Sequence, residues 1–228
     1  MLYSILFTEN LTASQAVIHF LITIFVFMFS LSVHEFAHAV SAYAMGDKTA
    51  KMAGRMTLNP FKHIDLSGFI LFIFLGVGWA KPVPVNPMNF KKFKKGNRIV
   101  SVSGVLANFF LGLIAAITCA ILFVTVGVEV AAMEYVYTVL FYLMLVNSFL
   151  ALFNLLPFAP LDGFNFIATF LKPDNKFLNK MLHNGFRILI VLIVISLFTD
   201  IFFGVDIFSW YLSVLYNYVY VPITFIGV

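Results

Sequence analysis

Long apolar stretches broken by short polar segments organise this 228-residue chain. Five runs, at roughly 16–45, 99–128, 133–158, 183–203 and 207–228, are long enough to cross a bilayer. A helix rises about 1.5 Å per residue, so about 30 Å of hydrocarbon takes about 20 apolar residues. A sixth run, 66–80 (LSGFILFIFLGVGWA), is short for a crossing and carries three glycines. It reads as a re-entrant or β-hairpin element, because irregular backbone at membrane depth needs protein or a water-filled cavity around it. The expected fold is an all-α polytopic membrane protein of about five to six transmembrane segments. Residues 1–228 then form one membrane-embedded domain, with a C-terminal helical hairpin over about 183–228.

Composition supports this reading. Hydrophobic residues make up 62% of the chain and charged residues 11%, against about 25% charged in soluble domains. The 29 phenylalanines suit a lipid-facing surface and require no cofactor. A single cysteine, Cys119, excludes an internal disulfide. The opening residues, MLYSILFTENLTASQAV, hold no Lys, no Arg and no small-residue cleavage site. The first apolar run is therefore expected to stay as a membrane helix rather than leave as a signal peptide.

Charge placement sets an expected orientation. Lys48, Lys51, Arg55 and Lys62 precede the short run, and Lys81, Lys91, Lys92, Lys94, Lys95 and Arg98 follow it. Both groups belong on the cytoplasmic side by the positive-inside tendency, so 66–80 should leave and return on one side. The chain is expected in the cell membrane as a multi-pass protein, with its N-terminus outside. The run KKFKK at 91–95 reads as a topology signal contacting anionic head groups of the lipid bilayer, not nucleic acid.

The first apolar run contains His34-Glu35-x-x-His38. Ionisable groups at membrane depth are costly and mark function. Positions i and i+4 share a helix face, so both imidazoles can reach one metal ion, with Glu35 beside its open position as a base. The motif points to a zinc hydrolase working inside a membrane. A catalytic zinc site takes a third protein ligand. Asp162 follows an apolar run in FNLLPFAPLDG, where it either shapes a turn or supplies that ligand. Other membrane H-E-x-x-H proteases take a later glutamate, and no Glu follows Glu134 here.

The stretches HEFAHAVSAYAMGDKTAKMAGRMTLNPFKHIDLSG, GWAKPVPVNP, VSVSGVLANFFLG and LFNLLPFAPLDG together resemble the site-2 protease family of intramembrane zinc metalloproteases. The likeness is to the short prokaryotic type without a PDZ or CBS domain, and the matching core lies within about 16–165. The resemblance implies one zinc ion held by His34, His38 and Asp162, Glu35 as general base, and Asn154 holding substrate or its developing oxyanion. His63, in a loop resembling one in the family, is a possible accessory residue. Three positions depart from the pattern: Leu66, Val105 and Ala159 stand where proline is frequent. None removes a ligand.

The implied activity is peptide-bond hydrolysis in transmembrane protein substrates, as in regulated intramembrane proteolysis, with the active site towards the cytoplasmic side. A non-proteolytic zinc-binding transporter or sensor is the alternative, although a carrier has no need of Glu35 beside the first ligand. His19 and His183 are expected at the membrane interface.

Overall fold

The computed structural model describes residues 12–75, 78–127, 133–204, 210–211 and 213–224. Four helices among them are long and apolar enough to cross a membrane: α1 (Ala13–Met45), α3 (Phe93–Thr125), α4 (Met133–Asn154) and α6 (Lys176–Phe203). Between them lie α2 (Leu66–Leu75) and α5 (Asp162–Ala168). The expected run at 133–158 ends as helix at Asn154, where Pro157 and Pro160 forbid regular continuation. The expected crossing at 207–228 falls only partly among the described residues, which there form a π turn, Tyr216–Tyr220, and a helical turn, Val221–Thr224.

Two stripes of every fourth residue join α1 to α3. Val26, Ser30, His34, His38 and Ala42 are buried on α1, and Gly96, Val100, Gly104, Asn108 and Gly112 on α3. Both stripes are rich in small residues, which lets apolar helices approach closely where lipid offers no hydrophobic drive to pack. The helices run antiparallel, since His34 meets Asn108 while His38 meets Val100. Helix α4 packs on both. Val26, Phe27, Phe72, Tyr142, Val146 and Leu150 form one core cluster, with the Phe27 and Phe72 rings stacked. Ala115, Ala116, Leu140, Met144 and Tyr220 form another. Tyr220 lies so close to Gly112 that a Cβ there would meet its ring at 2.6 Å.

The 66–80 segment returns to where it starts, though not as a β-hairpin among the described residues. Its outward limb is the helix α2, about 15 Å long, half the span a crossing needs. Ile64 and Ala80 then form a single antiparallel bridge, and Lys81 N–H donates to His63 O at 2.8 Å. Gly68 and Gly78 permit the return. A Cβ on Gly68 would lie 2.3 Å from Trp79 O, and one on Gly78 would lie 2.4 Å from Gly68 O.

After this bridge the chain runs without helix or strand over 81–86, beside the end of α1. Gly46 ends α1 at φ 113°, a left-handed conformation suited to glycine. The next residue, Asp47, is fully buried and accepts hydrogen bonds from Thr49 N–H, Asn86 N–H and Asn89 Nδ2. Lys91 N–H donates to Met45 O at 2.9 Å. Residues 81–91 are thereby strapped to the helix that carries the H-E-x-x-H motif.

Candidate metal centre

His34 and His38 project from α1 into the interface with α3, both buried. Each ring is held from behind through Nδ1. His34 Nδ1 lies 2.6 Å from Asn108 Oδ1, and His38 Nδ1 lies 2.8 Å from Val100 O. Both partners are acceptors, so each Nδ1 carries the proton and each Nε2 presents a lone pair. Gly104 makes room, because a Cβ there would stand 2.5 Å from His34 Cε1 and His38 Nε2.

Asp162 reaches the histidines from the far side. It opens α5, and Gly163 seats that helix on the end of α4: a Cβ at Gly163 would lie 2.2 Å from Leu155 O. The glycine after the aspartate thus serves close packing. Asp162 Oδ2 stands 3.3 Å from His34 Nε2 and 3.1 Å from His38 Nε2, and the two Nε2 atoms are 3.0 Å apart.

Three buried lone-pair atoms thus face one another, and Asp162 Oδ2 has no hydrogen-bond partner of proper geometry. That arrangement is unfavourable unless something positive sits among them. A tetrahedral zinc ion with ligands at about 2.0–2.2 Å separates ligand atoms by about 3.3–3.6 Å. The observed edges are a few tenths tighter, so a small outward shift admits the ion. Two imidazoles and a carboxylate, each imidazole donating its other N–H to an oxygen, fit a zinc site with one position left for substrate or water.

Glu35 is buried next to this triangle, and one of its oxygens, Oε2, accepts from Val83 N–H at 2.7 Å. The GWAKPVPVNP stretch therefore acts through its backbone, with residues 81–91 holding the carboxylate. Glu35, the three metal-facing residues and Asn154 all line one cavity of about 1530 Å³. Its walls come from α1, α2, the 78–87 return, the start of α3, the end of α4, α5 and α6. Asn154 Nδ2 donates to Leu150 O at 2.9 Å, within its own helix. His63 is buried outside the cavity wall, with Nε2–H donating to Thr57 O at 2.8 Å. It braces the base of the 66–80 segment. His19 bonds to Tyr142 Oη and His183 to Asn179 O, both away from the site.

Sequence reasoning passed over Asn108, Asn147, Gly104 and the Val83 N–H. The available signal was the amide pair itself, two asparagines inside apolar runs, each needing several partners where no water exists.

The chain has named relatives by sequence. The chain is 38% identical over 174 residues to YwhC of Bacillus subtilis, named as a candidate zinc metalloprotease; the match covers 74% of this chain and 78% of the relative. It is 27% identical over 198 residues to Rip2 of Mycolicibacterium smegmatis, also so named, covering 84% of this chain and 73% of the relative. Rip2 of Mycobacterium tuberculosis is 28% identical over 161 residues, covering 69% and 60%. No protein-family profile matches, and no solved structure matches.

Proposed function

Since the chain belongs to the short, site-2 protease-like family of membrane zinc metalloproteases, we propose that it hydrolyses peptide bonds of transmembrane protein substrates within the bilayer. The observation that carries this reading is the triangle of lone pairs on His34, His38 and Asp162, with Glu35 beside it in a cavity walled by apolar helices. His34, His38 and Asp162 hold one zinc ion. When bound, zinc supplies Lewis acidity, polarising the scissile carbonyl and making water acidic near neutral pH.

The chain's own groups do the rest. Glu35 takes a proton from the attacking water and later delivers it to the leaving amine. The Val83 N–H occupies Oε2, which fixes the carboxylate and leaves Oε1 to carry the proton. Asn154, on the cavity wall at the end of α4, turns its amide from Leu150 O towards the substrate carbonyl as negative charge develops there. A substrate helix must unwind before attack, since its carbonyls are already bonded. The site faces the cytoplasmic side, and 66–80 enters and leaves the bilayer from there. The whole chain acts as one membrane-embedded domain.

The test is cleavage of tagged single-span proteins by purified protein in liposomes. Glu35→Gln should retain zinc while cleavage falls by at least about 10²-fold; unchanged cleavage removes Glu35 as the base. Chelation should abolish activity and zinc should restore it. Zinc flux without cleavage supports a carrier instead. Membrane proteomics of wild-type and Glu35→Gln cells, searching for accumulated single-span fragments, identifies the substrate.

A further inference from the structure

Behind His34 lies a chain of buried amides that runs through three helices. Asn108 Oδ1 faces His34 Nδ1 at 2.6 Å, and Asn108 Nδ2 donates to Ser30 O at 3.2 Å and to Asn147 Oδ1 at 2.7 Å. Asn147 Nδ2 donates to Leu143 O at 2.8 Å and to Ser30 Oγ at 2.9 Å. Ser30, Asn108 and Asn147 are all fully buried.

The direction of this chain cannot reverse. Ser30 O and Leu143 O are backbone carbonyls that only accept, so each Nδ2 must point at its carbonyl. Rotating the Asn108 amide would set its oxygen against Ser30 O and Asn147 Oδ1. Rotating Asn147 as well would set its oxygen against Leu143 O. With both amides fixed, His34 meets an acceptor at Nδ1 and must place its proton there.

That choice has a competitor. Asp162 Oδ2 lies 3.3 Å from His34 Nε2, and an unconstrained neutral imidazole would put its proton on Nε2 to donate to that carboxylate. Such a tautomer has no lone pair facing the triangle and binds no metal there. We propose that Asn108, aimed by Asn147, is a positioning residue that fixes the Nδ1–H tautomer of His34 and so presents Nε2 to the metal. This rests on His34 being a metal ligand. It assigns the amide network a chemical task beyond joining helices α1, α3 and α4.

The experiment compares zinc affinity, by competition with a chelating dye, and the visible spectrum of the cobalt-loaded protein in detergent. Asn108→Leu should weaken zinc binding about 10–100-fold and alter the cobalt bands. Asn108→Asp keeps an acceptor for Nδ1–H but loses the donors to Ser30 and Asn147. It should hold zinc within about threefold of wild type and keep the cobalt spectrum, while its melting temperature falls as in Asn108→Leu. Equal loss of affinity in the two variants means a structural role only and overturns the proposal. So does wild-type affinity in Asn108→Leu. Should Asn108→Leu not fold, Asn147→Leu, which touches no ligand, carries the test: weakened zinc binding supports the relay and unchanged binding overturns it. His34→Ala separates the levels. If it leaves zinc affinity unchanged, the ligand assignment itself fails and the inference falls with it; if only the asparagine variants are silent, the assignment stands alone.

Discussion

Gly104 sets the dimensions of the site at the scale of single residues. A methyl group there would stand 2.5 Å from atoms of both imidazoles, well inside contact distance, and the side-chain rings must give way before the helix backbone does. Gly104→Ala should leave the membrane fold intact and lower zinc affinity at least about tenfold, checked by metal content after dialysis against a weak chelator. His34, Glu35 and His38 stood out in the sequence as ionisable groups within an apolar run, whereas Asp162 read equally as a turn residue until the family resemblance favoured a ligand. Asn154 was legible only through resemblance, and in the structure its amide is engaged with Leu150 O. Asn108 and Asn147 were visible as polar residues in apolar runs, but their pairing was not, for a plain reason. Their partners lie 74 and 39 positions away from Asn108 along the chain, and a single sequence does not state which faces of three helices meet.

At the scale of elements, the strap from Lys81 to Lys91 determines where Glu35 points. Asp47 anchors that strap, and although burial opposes its charge, hydrogen bonds from Asn89, Thr49 and Asn86 prevail and lower its pKa. A carboxyl depressed in the folded state adds stability above its unfolded value of about 3.9, and that stability is lost as pH falls through the folded value. Asp47→Asn should cost about 2–3 kcal/mol at neutral pH, seen as a lower melting temperature in detergent. It should also flatten the decline in stability below about pH 4, and turnover should drop because the Val83 N–H loses its fixed place. The strap itself was hidden from sequence analysis. Apart from a 3-10 turn at Pro87–Asn89 its residues form no helix or strand, and its hydrogen bonds go to Met45 and Asp47, some forty positions back along the chain. The helix boundary at Gly46 was legible, whereas the run read to 158 overshot the helix end at Asn154, and α3 starts at Phe93, absorbing Lys94, Lys95 and Arg98 that charge alone would assign to a loop.

For the molecule as a whole, the paired ends of the 66–80 segment bring its two flanking basic clusters together. Ile64 and Ala80 are bridged, and the proposed re-entrant path therefore puts Lys62 and Lys81 on one side of the bilayer. In a Cys119→Ala background, Lys62→Cys and Lys81→Cys should both react with a membrane-impermeant thiol reagent from the same face; labelling from opposite faces would mean that the segment crosses. The apolar runs made the membrane class and most spans plain, since hydropathy reads burial in lipid directly. They could not tell a ten-residue helix that turns back from a hairpin of strands, because both bury the same residues. The division of the metal-facing set between α1 and α5 also has a meaning in time. Asp162 lies 124 residues after His38, and at about 5–20 residues per second the ribosome needs about 6–25 s to make the interval. Throughout that period the nascent chain carries the base and both imidazoles but lacks the carboxylate that completes the set. The metal-facing set is thus complete only after α1, α3 and α4 have been made.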